Sequence, residues 1–229
     1  MELDDDLAFA LSLADDADTI SMARFRAADL KVETKPDLTP VSEADRLVET
    51  TLRSRIERER PGEAVLGEEE GGDSGPDDTA GWIIDPIDGT RNYTRGIPIW
   101  ATLIAFEDRV AVVSAPALGR RWWAKRGQGA YANGQRIHVS AIDRLEDATL
   151  LYALDRPVPE RAWDAWHIRG FGDFWAHMLV AEGAAEVAVD AIGLKVWDTA
   201  PLGVILEEAG GQFDDPVSSN GRIELSGLR

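Results

Sequence analysis

The stretch Trp82-Ile83-Ile84-Asp85-Pro86-Ile87-Asp88-Gly89-Thr90 decides how this chain reads. An apolar run that predicts a buried strand ends in two aspartates three positions apart, followed by Gly-Thr. Pro86 stiffens the backbone between the acids, so both carboxylates can enter one crevice. The Ile87 carbonyl is available as a further oxygen donor, and Gly89 lets the backbone approach a ligand closely. Thr90 then starts a helix through Arg91-Asn92-Tyr93, whose first amides suit a phosphate. Hard divalent cations such as Mg²⁺ take oxygen ligands, commonly carboxylates together with substrate phosphate. The same stretch also reads as an Asp-rich turn with Asp88 as a cap.

Three other motifs carry acids at comparable places. Gly67-Glu68-Glu69 closes the short apolar run Ala64-Val65-Leu66, or forms a solvated acidic loop. Trp197-Asp198-Thr199-Ala200-Pro201 opens an apolar helix, with Asp198 in the N-cap position. Pro40-Val41-Ser42-Glu43-Ala44-Asp45 has the spacing of a capping box, Ser42 with Asp45 three residues later. Singly, each is explained by local structure. Together, Glu68, Asp85, Asp88 and Asp198 supply oxygen ligands for two or three Mg²⁺ ions. Metals about 3.5–4 Å apart clamp the attacking and leaving oxygens of an in-line displacement. Asp45 and Thr90 are then placed to orient and deprotonate the attacking water.

Composition narrows the partners. The 229 residues hold 42 acidic against 24 basic side chains, a net charge of −18 that repels nucleic acid and anionic membrane. A phosphorylated substrate is repelled as well, so a phosphate site here needs a local cation. No cysteine occurs, which removes disulfides, thiolate metal sites and cysteine nucleophiles. The acidic start Met1–Asp6 is unlike a signal peptide, and no apolar run nears the roughly 20 residues of a membrane span. A cytoplasmic protein is the expectation.

Competing chemistries lack their motifs. There is no G-x-S-x-G elbow, no Walker A loop and no H-E-x-x-H. His138, His167 and His177 are scattered and read as surface or packing residues. The acids of Asp85 and Asp88 are one residue further apart than in the D-x-D of phosphatases that form an aspartyl-phosphate. That favours direct attack by water.

The remaining pattern alternates helices and strands. Helices are expected over Leu3–Ala28, after Ser42 up to Pro61, over Phe174–Gly183 and over Trp197–Ala209, with Lys35–Pro40 as a stiff connector. Strands are expected over 99–106, 110–116, 120–125, 128–132, 148–153 and 185–189, with Asn133-Gly134 as a turn and a polar loop over 71–81.

Lys35 through Asp45, Gly67-Glu68-Glu69, Trp82 through Thr90, and Trp197-Asp198 through Glu208-Ala209-Gly210-Gly211 resemble the inositol monophosphatase-like family of Mg²⁺-dependent phosphomonoesterases. The motifs span nearly the whole chain in the family's order. The resemblance implies an α/β fold, an alternating αβαβα sandwich. It implies metal ligation by Glu68, Asp85, the Ile87 carbonyl, Asp88 and Asp198, and phosphate contacts from Gly89 and Thr90. Catalysis falls to Asp45, Thr90 and Glu68 acting on a metal-activated water. It further implies a homodimer, a metal-binding half over about 1–140 and a substrate-pocket half over about 141–229.

Within the family the chain resembles the actinobacterial branch that acts on histidinol phosphate. Val112 through Leu118, Arg121-Trp122-Trp123-Ala124, and Arg169 through Asp173 carry that likeness. Asp173 stands where the family lines the alcohol part of its substrate, with Arg169 and Asp190 expected near the same pocket. A carboxylate there suits the ammonium and imidazole of histidinol, and Asp173 also reads as a helix cap. The alternatives are an inositol-1-monophosphatase, another small-phosphomonoester phosphatase, or a catalytically silent metal-binding protein. The chain departs from the family pattern by compression over 153–169 and over 212–221.

Overall fold

The computed structural model describes residues 5–36, 38–72, 81–153, 157–190 and 194–228, which divide into two compact units. The first comprises residues up to Arg121 together with Val196–Pro201. It opens with α1 (Asp5–Arg24), whose buried Leu7, Ala10, Ala14, Ala17 and Ser21 recur every three or four residues along one face. The helix stops at Arg24 rather than the expected Ala28. Arg26 turns to φ 62°, and its guanidinium hydrogen-bonds the Gly96 carbonyl. The expected connector is the loop of a hairpin, β1 (Val32–Thr34) against β2 (Pro40–Ser42), with Asp37 outside the described residues.

Ser42 caps α2 (Glu43–Glu59), and the capping box is complete. The chain continues through β3 (Val65–Gly67), β4 (Gly71–Gly72), β5 (Trp82–Asp88), α3 (Thr90–Thr94), β6 (Ala101–Phe106) and β7 (Val110–Ala115). Most of the polar loop expected over 71–81 lies outside the described residues. The strand order is β7-β6-β5-β3-β4, with β3 and β5 parallel and the other neighbours antiparallel. β5 is buried from Trp82 to Ile87, which explains its nearly unbroken apolar run.

The β5 register against β6 contains the feature that builds the site. Asp85 pairs with Leu103 and Asp88 with Ala101, so three steps on β5 match two on β6. In a regular strand, residues three apart face opposite sides of the sheet. The bulge restores parity and turns both aspartates to one side. Pro86, which has no N–H to give the ladder, sits inside the bulge, and its carbonyl accepts from the Thr102 hydroxyl at 2.8 Å.

The second unit comprises Trp122–Lys195 and Leu202–Arg229. It contains β8 (Arg120–Lys125) from Trp122 onward, β9 (Gly129–Ala132) and β10 (Gln135–Ile137), joined antiparallel. Asn133 and Gly134, both with positive φ, make the tight turn between β9 and β10. Then follow β11 (Thr149–Tyr152), β12 (His167–Arg169), α4 (Asp173–Ala181), β13 (Val187–Val189), α5 (Val196–Glu208), β14 (Gln212–Asp214) and β15 (Val217–Ser219). The last five strands form a mixed sheet in the order β12-β11-β13-β15-β14. Leu150, Tyr152, Val187, Val189, Val217, Ile223 and Leu228 share one core. The compressed segment after Gly211 is thus a short hairpin, β14 with β15.

The first turn of α5, through Pro201, groups with the first unit. Asp198 is its third residue and not the expected N-cap, because Val196 and Trp197 are already helical. Helices and mixed sheets in layers bear out the α/β class. No described helix is long and apolar enough to cross a membrane.

Candidate active site

Asp85, Asp88 and Asp198 each bring a carboxylate oxygen within 4.8 Å of the others, the first two from the bulged end of β5 and the third from the first turn of α5. Asp85 is buried, while Asp88 and Asp198 are half-buried. One oxygen of Asp85 accepts from the Ile87 amide at 2.9 Å, which fixes its direction. Burial pushes its carboxyl well above the usual range, and the negative charges of Glu68, Asp88, Asp198 and Asp45 push it further.

These donors fit a hard cation. They are all oxygen, and the charge they concentrate is repulsive until a positive ion offsets it. Nitrogen and sulfur donors, which favour softer metals, take no part in the cluster.

Asp45 divides its two oxygens between the local and the catalytic readings. Oδ2 accepts from the Ser42 amide at 2.9 Å and from its hydroxyl at 2.5 Å, completing the helix cap. Oδ1 lies 3.2 Å from the Thr90 hydroxyl. That hydroxyl is also 2.9 Å from the Ile87 carbonyl. It has one proton, so it serves one of the two acceptors at a time. Burial raises the Asp45 carboxyl, against the opposing hydrogen bonds from Ser42.

Gly89 caps α3 with φ 82°, a left-handed conformation, and a Cβ there would come within 3.0 Å of the Ile99 carbonyl. Its own carbonyl accepts from the Asn92 and Tyr93 amides, which holds Thr90 at the start of the helix.

Glu68 follows β3, and its amide bonds the Ile84 carbonyl at 3.2 Å, so it flanks the Asp85 strand. Its side chain is turned to Lys35, whose ammonium donates to Glu68 at 2.8 Å and to Glu69 at 2.5 Å. Glu68 therefore acts on Asp85 through its charge but stands apart from the three-aspartate cluster. Burial alone would lower the Lys35 ammonium, yet its two glutamate partners raise it. Glu69 is pushed up to about 7, chiefly by burial, with Lys35 opposing and Glu68 reinforcing. From sequence, Lys35 opens the connector and the family-like stretch but carries no catalytic or binding role. A lysine just before a proline loop carries no local sign of a partner thirty-three residues on.

In the second unit, Asp190 is buried past the end of β13. One of its oxygens lies 3.3 Å from His177 Nε2, and His177 Nδ1 is 2.5 Å from the Ser218 hydroxyl. A Cβ built on Gly172 would meet the other Asp190 oxygen at 3.3 Å, which puts Asp190 beside the start of α4. Asp173 opens that helix with φ 54°, a strained value for a residue with a side chain. Arg169, at the end of β12, is exposed and folds back onto the Ile168 carbonyl. His177 is fully buried, in line with the packing role expected for it.

Known proteins with this pattern agree. A model of the inositol monophosphatase family matches residues 2–227. The chain is 48% identical over 227 residues to the histidinol-phosphatase of Mycobacterium tuberculosis, covering 91% of this chain and 86% of that protein. It is 43% identical over 253 residues to the histidinol-phosphatase of Streptomyces coelicolor, covering 96% and 94%. Among solved structures, the Thermotoga maritima IMPase superposes with a TM-score of 0.84 at 29% identity, over 95% of this chain and 93% of that one. This chain belongs to the inositol monophosphatase family.

Proposed function

We propose that this chain is a Mg²⁺-dependent phosphomonoesterase that hydrolyses histidinol phosphate to histidinol and phosphate by direct attack of water. The observation that carries the chemistry is the convergence of Asp85, Asp88 and Asp198 on one point beside the Asp45–Thr90 pair. Two or three bound cations supply the Lewis acidity of the reaction, polarising the phosphoryl group and making water more acidic.

The protein's own groups do the rest. As Thr90 takes a proton from water, its own hydroxyl proton passes to ionised Asp45, 3.2 Å away, which afterwards returns it to solvent. The water oxygen forms a bond to phosphorus as the ester P–O bond breaks, and the departing alkoxide takes up a proton from solvent. The Gly89 backbone and Thr90 bind the phosphate. The Ile87 carbonyl and Glu68 complete the cation ligands. Lys35 engages Glu68 through Oε1, and a carboxylate can hold an ammonium and a cation at once.

The substrate reading rests on the two relatives named histidinol-phosphatase and on the carboxylates of Asp173 and Asp190. Histidinol phosphate carries an ammonium and an imidazole, which carboxylates bind better than they bind neutral hydroxyls. Arg169 belongs to the same proposed pocket. The proposal further includes the division into metal-binding and substrate halves, a homodimer, a cytoplasmic location and a place in histidine biosynthesis.

A phosphate-release comparison of histidinol phosphate, inositol 1-phosphate and adenosine 3′,5′-bisphosphate with Mg²⁺ tests the reading. Preferential turnover of histidinol phosphate is expected, and Asp88→Asn should abolish turnover. Faster turnover of inositol 1-phosphate overturns the substrate, and no turnover of any ester overturns the enzyme.

A further inference from the structure

Glu49 lies on the buried face of α2 with Val48, Leu52 and Ile56, and none of its side chain is exposed. Its carboxylate is nonetheless fully engaged. One oxygen accepts from the Glu69 amide at 2.7 Å and the other from the Glu70 amide at 2.9 Å. Arg53, one helical turn on, pairs with it at 2.9 Å. The same guanidinium donates to the Val65 carbonyl at 3.1 Å and to the Gly71 carbonyl. The Glu49–Arg53 pair thus grips both strands and the turn of the β3–β4 hairpin. Gly67 is glycine because a Cβ there would overlap the Glu49 carboxylate.

We propose that Glu49 is a positioning residue for the cation site, holding the turn that presents Glu68. It touches neither cation nor substrate. It acts by fixing the two amides that follow Glu68, so the Glu68 backbone is set before any ligand arrives. Pre-set donors lose less freedom on binding, and partners that orient ligands typically contribute ten- to a hundredfold to affinity. The inference rests on the reading of Glu68 as a cation ligand.

Mn²⁺ titrated into the purified full-length protein, with free ion read by electron paramagnetic resonance, needs no turnover and separates the two ideas. Glu68→Gln is expected to weaken Mn²⁺ binding. Glu49→Gln, still folded by circular dichroism, is expected to weaken it about tenfold. Glu49→Asp, too short to span both amides, should fall between. Glu59→Gln, which removes a charge from the same helix away from the turn, should bind as wild type. The double variant Glu49→Gln/Glu68→Gln should be no weaker than Glu68→Gln alone, since both act through one ligand. Unchanged binding in Glu68→Gln would remove the ligand reading. Weakened binding in Glu68→Gln with wild-type binding in both Glu49 variants would overturn the positioning role alone. Loss of folding in both Glu49 variants would also overturn it, making Glu49 a residue of stability.

Discussion

Asp85 and Glu49 are both carboxylates sealed from solvent, at 1% and 0% exposure, in the same unit of the molecule. Their surroundings are opposite. Glu49 has a guanidinium and two backbone amides turned toward it. Asp85 has one amide, and around it stand the charges of Glu68, Asp88, Asp198 and Asp45. The fold answers the first charge with its own donors. It gathers more of the same sign around the second. Burial is therefore a poor guide to a functional acid, and the sign of the neighbouring charge is a good one.

The largest effect expected from this contrast is on turnover. Asp88→Asn keeps the shape of the cluster and removes one charge, and kcat/KM for histidinol phosphate should fall by at least about a hundredfold. Retention of most activity would break the link between the cluster and the chemistry. Thr90→Ala removes the hydroxyl that contacts Asp45 and that the proposed mechanism uses to take a proton from water. A loss of about 10²-fold or more in kcat is expected, in the range of general-base catalysis, with substantial recovery in Thr90→Ser.

Stability sharpens the contrast further, because the two acids should respond with opposite sign. Glu49→Ala takes the carboxylate from the half-buried Arg53 guanidinium and from two turn amides, at a cost of about 3 kcal/mol. At about 2–4 °C per kcal/mol for a chain of this size, the melting temperature should drop by roughly 6–12 °C. Asp85→Asn, measured without metal, should instead raise it, since a repelled charge is removed.

The pH dependence follows the same sign. The folded carboxyl of Asp85 is raised above its unfolded value, so the folded state binds more protons. Its favourable contribution is present below about pH 4, the unfolded value, and is lost as pH rises through the higher folded one. Glu69, pushed up to about 7, acts in the same direction between its ordinary value and 7. Metal-free protein should lose stability as pH rises from about 4 to 7, and Asp85→Asn should flatten that slope. The smallest effect concerns the second unit. Asp173→Ala should raise KM for histidinol phosphate about tenfold, the worth of one charged hydrogen bond, and leave inositol 1-phosphate unaffected.

Much of this was legible because it is local. The apolar run into Asp85, the capping box of Ser42 and Asp45, and the Asn133-Gly134 turn are all set by neighbours within a few residues. The convergence of Asp85 and Asp88 was legible only as an outcome. Its cause is a register shift against β6, whose residues paired with the two acids lie thirteen to eighteen positions on, and the one mark of it in the β5 sequence is Pro86 between the acids. The hairpin of β1 and β2 escaped because its strands are three residues long, and β1 is exposed throughout, so no alternation marks it. Asp198, expected as the N-cap, lies three positions inside the helix, because the apolar Val196-Trp197 gives no capping signal. Glu49 had a faint sign, a charge on an apolar helical stripe with arginine four residues later. Its partners in the Glu69 turn are joined to it only in three dimensions.

The central claim is that the Asp85 cluster is built to be completed by a cation. Thermal unfolding of the wild type and Asp85→Asn at pH 7, with and without Mg²⁺, tests it most directly. A ligand that binds only the folded state raises stability with its concentration. The wild type should melt at a higher temperature as Mg²⁺ is added, while Asp85→Asn starts higher and responds little. A wild-type melting temperature indifferent to Mg²⁺, or an Asp85→Asn protein that responds as strongly as wild type, would contradict the account.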